Sequence, residues 1–474
     1  MFLKNLSQLL MQNIYKQIII GGGSAGYASA RTFHEHAGEV AVIDGGEELS
    51  GLCILRGCMP SKTLIYSAEI LHLARQGSVF GFDSIDLKAE MSTMQKRKKE
   101  IIAEFADYRK GQLEDGRFTL FRSKAKFLDE NCVELDDGTI LRADKYVIST
   151  GSKISMPDLP GLNEVSFKTS DDVLDLSEIP EEVVVLGGGI VACELAQFLS
   201  RVGSRVTLLQ RNDHILKEFP IQASICIKEK FIEEGINILT GVSIKNLEQI
   251  DNKTIRVDYH SGGEDHSVET QFLFHALGRT PATDCLNLHN IGVKTIKSGH
   301  IQTNAFQQTS IPHIYAAGDC AGPHEIVHIA ICQGETAALH AMNKSVQPLS
   351  YDHLLGVVFT DPQVASVGLL PKHLDERGIE YLSADYPFDD HGKSILMEAK
   401  HGYVSVHAEK TTGVILGAEC VGKDAGELIH SLSVAVSMRA TVHQLAKADW
   451  YHPTLSEIWT YPIEDLAEEI PETD

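Results

Sequence analysis

Gln17-Ile18-Ile19-Ile20-Gly21-Gly22-Gly23-Ser24-Ala25-Gly26 reads as a short apolar strand, a glycine-rich turn and the start of a helix, and the fold follows from it. The order returns at Val183-Val184-Val185-Leu186-Gly187-Gly188-Gly189-Ile190-Val191-Ala192, and a second apolar strand follows each turn, over 40–43 and 205–209. In such a unit the first glycine permits the tight turn, the second lets backbone approach a pyrophosphate, and the third lets helix pack on strand. The helix N-terminus then presents unpaired N–H groups and a partial positive charge to the phosphates. One loop of this kind is a weak signal. Two in order, each in strand–turn–helix context, predict two dinucleotide sites in an α/β chain. The phosphate-cradling candidates are Gly21, Gly23, Ser24, Ala25 and Gly26 in the first unit, and Gly187, Gly189 and Ile190 in the second.

An acid that ends the second strand takes the ribose hydroxyls in this architecture. Asp44 stands there in the first unit, 18 residues beyond Gly26. The second unit has Gln210 at that place, then Arg211 and, further on, Lys217. A neutral amide lacks the carboxylate that would repel a 2′-phosphate, and the two cations could attract one, which tilts the coenzyme toward NADP. Solvated surface charge explains Arg211 and Lys217 nearly as well.

Between the two units, 90–116 reads as a charged helix, and 118–148 as strands with a turn at Asp136-Asp137-Gly138. Val147-Ile148-Ser149-Thr150-Gly151 is a strand running into a glycine turn, and 152–162, with Pro157 and Pro160, reads as a linker. A strand-then-glycine signal at 272–278 closes the second unit, and Ile314-Tyr315-Ala316-Ala317-Gly318-Asp319 returns to the first. From about residue 349 the texture changes to strand runs such as 413–421 and helices rich in small apolar residues. That part carries no nucleotide signature.

The 474 residues are too many for one ordinary core and suggest two to four domains. With 43% hydrophobic and 23% charged residues the composition is that of a soluble globular protein. No apolar run approaches the ~20 residues that a membrane span needs. Residues 1–15 hold one lysine and a short apolar stretch, and they lead into a strand the fold needs, so they make a poor signal peptide. Against 65 Asp plus Glu stand 42 Lys plus Arg, a net charge of −23. Such a surface excludes nucleic acid, whose binding rests on a basic footprint, and reads as solubility. Seven of the nine cysteines (Cys132, Cys193, Cys226, Cys285, Cys320, Cys332 and Cys420) are scattered without framework spacing, as reduced thiols would be. The cytoplasm is the expected location.

Gly51-Leu52-Cys53-Ile54-Leu55-Arg56-Gly57-Cys58-Met59-Pro60-Ser61-Lys62 is different. Two cysteines five positions apart can close a small disulfide ring where the backbone between them is distorted, and Gly57 eases that distortion. A helix is predicted over 61–74 with Pro60 near its first turn. A thiol at a helix N-terminus has its thiolate favoured, downward from a free pKa of ~8.5, so the pair is expected to be redox-active. An inert core pair or half a metal site are the bland readings. No matching cysteine or histidine pair lies nearby in sequence, so no metal is expected.

This segment resembles the redox-disulfide signature of the class I pyridine nucleotide–disulfide oxidoreductases, among them dihydrolipoamide dehydrogenase, glutathione reductase and mercuric reductase. The signature usually opens Gly-Gly-x-Cys, where this chain has Ser50-Gly51-Leu52-Cys53. The likeness extends over nearly the whole chain, through Thr150-Gly151, the 187–194 loop, Ala276-Leu277-Gly278-Arg279-Thr280-Pro281, 309–319, Phe359-Thr360-Asp361-Pro362 and His452-Pro453-Thr454. It implies an α/β fold of two Rossmann-like dinucleotide-binding domains, for FAD and NAD(P), and a C-terminal α+β dimerisation domain. The boundaries expected are 1–152 resumed at 279–348 for FAD, 153–278 for NAD(P), and 349–474 for the interface. Gly51, Thr150, Gly151, Gly278, Arg279, Gly318 and Asp319 join the two loops as cofactor contacts, with Asp319 on the FAD ribityl chain. The resemblance further implies that Cys53 exchanges with substrate, that Cys58 lies against the flavin as the charge-transfer thiolate, and that Lys62 sits near flavin N5, paired with Glu194. Without it, Lys62 is a solvated helix lysine and Glu194 a first-turn acid favoured by the helix dipole.

In Tyr451-His452-Pro453-Thr454-Leu455-Ser456-Glu457, Thr454 and Glu457 have capping-box spacing, so Glu457 could simply cap a helix. Dithiol–disulfide exchange, however, needs a base near neutral pH, and a histidine oriented by a carboxylate suits that task. The resemblance makes His452 that base and Glu457 its orienter, supplied across the two-fold interface of an obligate homodimer. Trp450 and Tyr451 stand where the family often has small or histidine residues, and are expected to line the substrate mouth.

Within the family, Pro60-Ser61-Lys62, His328-Ile329-Ala330 and 452–457 resemble dihydrolipoamide dehydrogenase, so a small dithiol or lipoyl-protein substrate is expected. Arg31 is closer to glutathione reductase, whose arginine in the first helix meets a peptide carboxylate. Mercuric reductase would want a cysteine pair near the C-terminus, and the last cysteine here is Cys420. A reading of another class is a docking or structural flavoprotein subunit of a multienzyme complex, which would need none of Cys53, Cys58, Lys62 and His452.

Overall fold

The computed structural model describes residues 13–83 and 87–472; the reading of the first residues as a poor signal peptide falls mostly on 1–12, outside them. The chain divides into two units. One contains 13–63, 95–156 and 278–350, and the other contains the remaining described residues.

The first unit is built on a sheet whose parallel part runs Thr119–Phe121, Val40–Ile43, Ile14–Ile20, Ile140–Ile148, Ile314–Ala316. An antiparallel meander of Ala125–Asp129 and Cys132–Leu135 pairs with the start of Ile140–Ile148. Ile18, Ile19, Val40–Ile43 and Tyr146–Ile148 are almost completely buried, because parallel strands covered on both faces need unbroken apolar runs. Helix Ser24–Ala37 packs closely on Val327–Ala341. A Cβ on Gly334 would meet the Ala25 carbonyl oxygen at 2.2 Å, so only glycine admits this approach.

The strand register does the functional positioning. Ile20 pairs with both Ile43 and Ile148, and Ile148 with Ala316. Gly21, Asp44, Ser149-Thr150 and Ala317-Gly318-Asp319 therefore emerge together at the carboxyl edge of one sheet, where ligands of such sheets bind. The expected linker over 152–162 starts differently. Ser152–Ile154 pairs antiparallel with Arg279–Pro281, a partner too distant in sequence for a local turn signal to reveal.

In the second unit, a parallel sheet runs Asn237–Leu239, Arg205–Leu209, Glu182–Leu186, Leu273–His275. A three-stranded antiparallel sheet follows over Ser243–Gln249, Ile255–Ser261 and Glu264–Thr270. The C-terminal part is a five-stranded antiparallel sheet, Leu355–Val358, Gln363–Gly368, Ile415–Gly422, Tyr403–Glu409, Tyr381–Pro387, packed against helices Ala425–Ser437 and Thr460–Glu469. Val404, Val406, Ala418, Cys420, Ile429, Trp459 and Ile463 form its core. The α/β expectation holds, with the antiparallel third part where the texture changed.

Candidate active-site and nucleotide-site elements

The two glycine loops adopt the same geometry. Gly21 and Gly187 take φ of 105° and 114°, open only to glycine, and a Cβ on either would strike a neighbouring carbonyl oxygen. Each helix that follows starts at a glycine N-cap, Gly23 or Gly189, with neither a capping side chain nor an acid in its first turn. Those N–H groups are thus left for an anion, with no capping side chain or first-turn acid in competition. Asp44 and Gln210 occupy equivalent places. A Cβ on Gly22 would lie 2.7 Å from the Asp44 carboxylate, and one on Gly188 3.0 Å from the Gln210 side chain.

Asp44 accepts the N–H groups of Gly22 at 2.8 Å and Gly46 at 2.9 Å, so it orders the loop itself. Gln210 is tied differently. Its Oε1 accepts the Arg211 N–H at 3.0 Å and its Nε2 donates to the His214 carbonyl at 3.4 Å. Arg211 is exposed, and the Lys217 ammonium lies 3.2 Å from Glu218. Ser152 donates to Asp319 at 2.7 Å while Arg279 donates to Ser152 at 2.8 Å, so Ser152, which was not predicted, links two expected cofactor contacts. Gln333, which sequence reasoning missed, holds the turn before Asp319. Its Oε1 accepts the Gly318 N–H at 2.7 Å and its Nε2 donates to Gly322 at 2.8 Å.

Cys53 lies in a one-turn helix, Leu52–Leu55, and Cys58 is the first residue of helix Cys58–Arg75, three positions earlier than the predicted start. Gly57 sits against the backbone of Leu52 and Cys53, which brings the two cysteines together. The thiols are hydrogen-bonded to each other, and that bond, then burial, pushes the Cys53 thiol well up, against the pull of the Lys62 ammonium. Cys58, not Cys53, stands at the N-terminus of its helix, where the helix dipole favours negative charge.

His452 is four-fifths exposed, and its Nδ1 lies 3.0 Å from each oxygen of the buried Glu457 carboxylate. Thr454 is the N-cap of Leu455–Trp459 but makes no side-chain cap, so Glu457 serves the imidazole and closes no capping box. The indole of Trp450 donates to the Leu445 carbonyl at 3.1 Å and packs on the core, whereas Tyr451 is 82% exposed. Trp450 is half-buried and Tyr451 is the more open of the two. His391, also missed, is wholly buried with Nε2 3.5 Å from Glu457.

Glu194 is buried in the helix that starts at the second loop and accepts the Phe359 N–H at 2.9 Å. One and two turns on, Gln197 exchanges hydrogen bonds with the Asp361 backbone, and Arg201 binds both Glu234 and Asp361 at 2.7 Å. Lys62 belongs to the first unit and Glu194 to the second. Among the described residues, no group of three or more His, Cys, Asp or Glu is placed to hold a metal ion, and no helix is long and apolar enough to cross a membrane.

Two uncapped dinucleotide loops and a contacting thiol pair at a helix start define a dinucleotide-dependent dithiol oxidoreductase. Residues 15–334 match the pyridine nucleotide-disulphide oxidoreductase family, and 355–462 match the dimerisation domain of that family; the chain belongs to it. FAD and NAD(P) are its cofactors. Mercuric reductase of Staphylococcus aureus is 30% identical over 94% of this chain and 81% of that protein. Dihydrolipoyl dehydrogenase of Bacillus subtilis is 30% identical over 93% and 96%. The crystal structure of LpdA from Mycobacterium tuberculosis superposes with a TM-score of 0.86 at 26% identity, covering 95% of this chain and 99% of that one.

Proposed function

We propose that the chain moves electron pairs between a dithiol of the lipoyl class and NAD(P), as dihydrolipoamide dehydrogenase does. The observation that carries this reading is the His452–Glu457 pair, an exposed imidazole whose Nδ1 is held by a buried carboxylate at 3.0 Å, leaving Nε2 toward solvent as the proton acceptor. Arg31 pairs with Glu335 at 2.5 Å, and so is engaged within the protein where the glutathione branch would present it to a peptide carboxylate.

FAD held in the first unit would supply the two-electron relay between the cysteine pair and the nicotinamide. The chain's own residues do the rest. His452 takes the proton of one substrate thiol; that thiolate attacks Cys53, the Cys53–Cys58 bond breaks, and Cys58 leaves as a thiolate. The second substrate thiol then attacks the mixed disulfide, its proton passing to the departing Cys53 sulfur, so that Cys53 is released as a thiol and the first proton stays on His452. Substrate leaves as its disulfide, two electrons lower. Lys62 and Glu194 would support the flavin side, and Asp44 and Asp319, with the glycines of the first loop, would hold FAD. That loop fits: its N–H groups are uncapped, and a Cβ at Gly26 would lie 1.8 Å from the Gly21 carbonyl oxygen. Gln210 and Arg211 would meet the coenzyme's ribose, with no carboxylate at Gln210 to repel a 2′-phosphate.

The reading includes a FAD domain over 1–152 and 279–348, a coenzyme domain over 153–278, and a homodimer that brings His452 to its partner's thiols. The cytoplasm is its proposed location. A second reading, metal-ion reduction, is favoured by the relatives named mercuric reductase at 30–32% identity. Steady-state turnover of the purified yellow protein decides between them. Lipoamide reduction with NADH or NADPH, and dihydrolipoamide oxidation in reverse, would support the first. Coenzyme oxidation driven by Hg(II) with lipoamide inert would replace it with the second. A folded, FAD-loaded dimer inert to every disulfide and to Hg(II) would leave only the docking role.

A further inference from the structure

His391 is a buried imidazole that the exchange chemistry does not yet use. Its Nδ1 lies 2.8 Å from Ser394 Oγ, and its Nε2 faces Glu457 Oε1 at 3.5 Å, the outer edge of a hydrogen bond, with no closer partner. The same carboxylate contacts His452 Nδ1 through both oxygens. One acid thus stands between two imidazoles, one wholly buried and one exposed. The Tyr461 ring meets His391 edge-on, Tyr386 stacks on Tyr461 at 3.7 Å, and the Tyr386 hydroxyl donates to the Asp390 carboxylate at 3.0 Å.

Burial holds the His391 pKa below the ordinary imidazole value in spite of Glu457, so the ring is neutral and has one N–H to give. The tautomer in which the Ser394 hydroxyl donates to Nδ1 places that proton on Nε2, facing the carboxylate; the other tautomer would set the Nε2 lone pair against an anion. A buried N–H left unpaired is costly, which drives it toward Glu457.

We propose that His391 is a positioning residue for the exchange base: its Nε2–H donates to Glu457, keeps both carboxylate oxygens on His452, and sets how strongly the carboxylate draws a proton to His452. The inference rests on the reading of His452 as the base. Donation to a carboxylate stabilises the anion and weakens its pull on a second proton. A carboxylate so stabilised orients the His452 ring while leaving its proton free to move in the exchange. Without the donor, Glu457 would pull harder and His452 would stay protonated to higher pH.

The test avoids any assumption about substrate. The holoenzyme is reduced with NADH or NADPH, Cys53 is alkylated with iodoacetamide between pH 5 and 9, and the rate is read from the modified peptide. His391→Met, His391→Gln and His452→Ala are compared with the unmodified protein, each checked for full FAD content. His391→Met is expected to move the step belonging to the His452 proton upward by up to about one pH unit. His391→Gln, which keeps an N–H near the Nε2 position, is expected to restore the original profile. A general packing role would not produce this split. If the methionine variant loses FAD, His391→Asn, with no donor at the Nε2 place, takes its part. A His391→Met (or Asn) profile identical to the unmodified one, alongside an altered His452→Ala profile, overturns this inference alone. An unaltered His452→Ala profile overturns the base assignment and the inference with it.

Discussion

Replacing Arg201 by methionine tests what holds the second unit around Glu194. The guanidinium side chain is 4% exposed, and it donates to Glu234 at 2.7 and 2.9 Å and to Asp361 at 2.7 Å. Methionine keeps the apolar stem and removes the charge. Taking away one partner of a buried ion pair costs about 3–5 kcal/mol, because the other charge stays buried and uncompensated. Two carboxylates lose the same cation here, but the Asp361 side chain is 26% exposed and recovers part of its hydration, so about 4 kcal/mol is expected. At about 2–4 °C per kcal/mol for a unit of this size, thermal unfolding followed by circular dichroism should shift down by roughly 8–16 °C.

The pH dependence adds a second check. Burial alone would raise the Asp361 carboxyl, but the charge and hydrogen bond of Arg201 outweigh it and hold the group below its usual range. In the unmodified protein this contribution is present above the unfolded carboxyl value, ~3.9, and is lost as pH falls through the lower folded value. Without Arg201 only the weaker pull of Lys423 and His72 still opposes burial. The folded pKa then rises above the unfolded one, and protonation stabilises the fold. The deficit of the variant should therefore be largest near pH 8 and narrow toward pH 5. A shift of less than about 3 °C, or a deficit that widens on acidification, would refute the reasoning.

Three further outcomes follow from the site. His452→Ala should slow dithiol turnover by about 10²–10⁴-fold while FAD is retained, and an unchanged rate would remove the imidazole from the chemistry. Cys58→Ser should abolish the long-wavelength absorbance of a thiolate against oxidised flavin, whereas Cys53→Ser should keep it; survival of the band in Cys58→Ser would reverse the two roles. Gly26→Ala should give protein that purifies without FAD or with most of it lost, since its Cβ would lie 1.8 Å from the Gly21 carbonyl oxygen; a fully yellow variant would show that the helix can move away.

What the residues alone determined were the features whose physics is local. Each glycine loop is a strand, a turn and a helix within a few consecutive residues, and Gly21 or Gly187 is demanded by backbone sterics whatever surrounds it. Cys53 and Cys58 are five positions apart, and a short distorted segment is enough to bring their sulfurs into contact. His452 and Glu457 likewise share one short stretch, although only the structure showed that Glu457 holds the imidazole and caps nothing. The pairing of Ser152–Ile154 with Arg279–Pro281, the grip of Gln333 on the turn before Asp319, the Arg201–Asp361 contact and the place of His391 beside Glu457 have no periodicity or spacing to announce them. Each joins side chains or strands from distant parts of the sequence. Which pairs meet is settled by the packing of whole sheets and helices, where burial strips away water and makes each buried polar group find a partner. Local sequence named the chemistry; tertiary packing chose the neighbours that tune it.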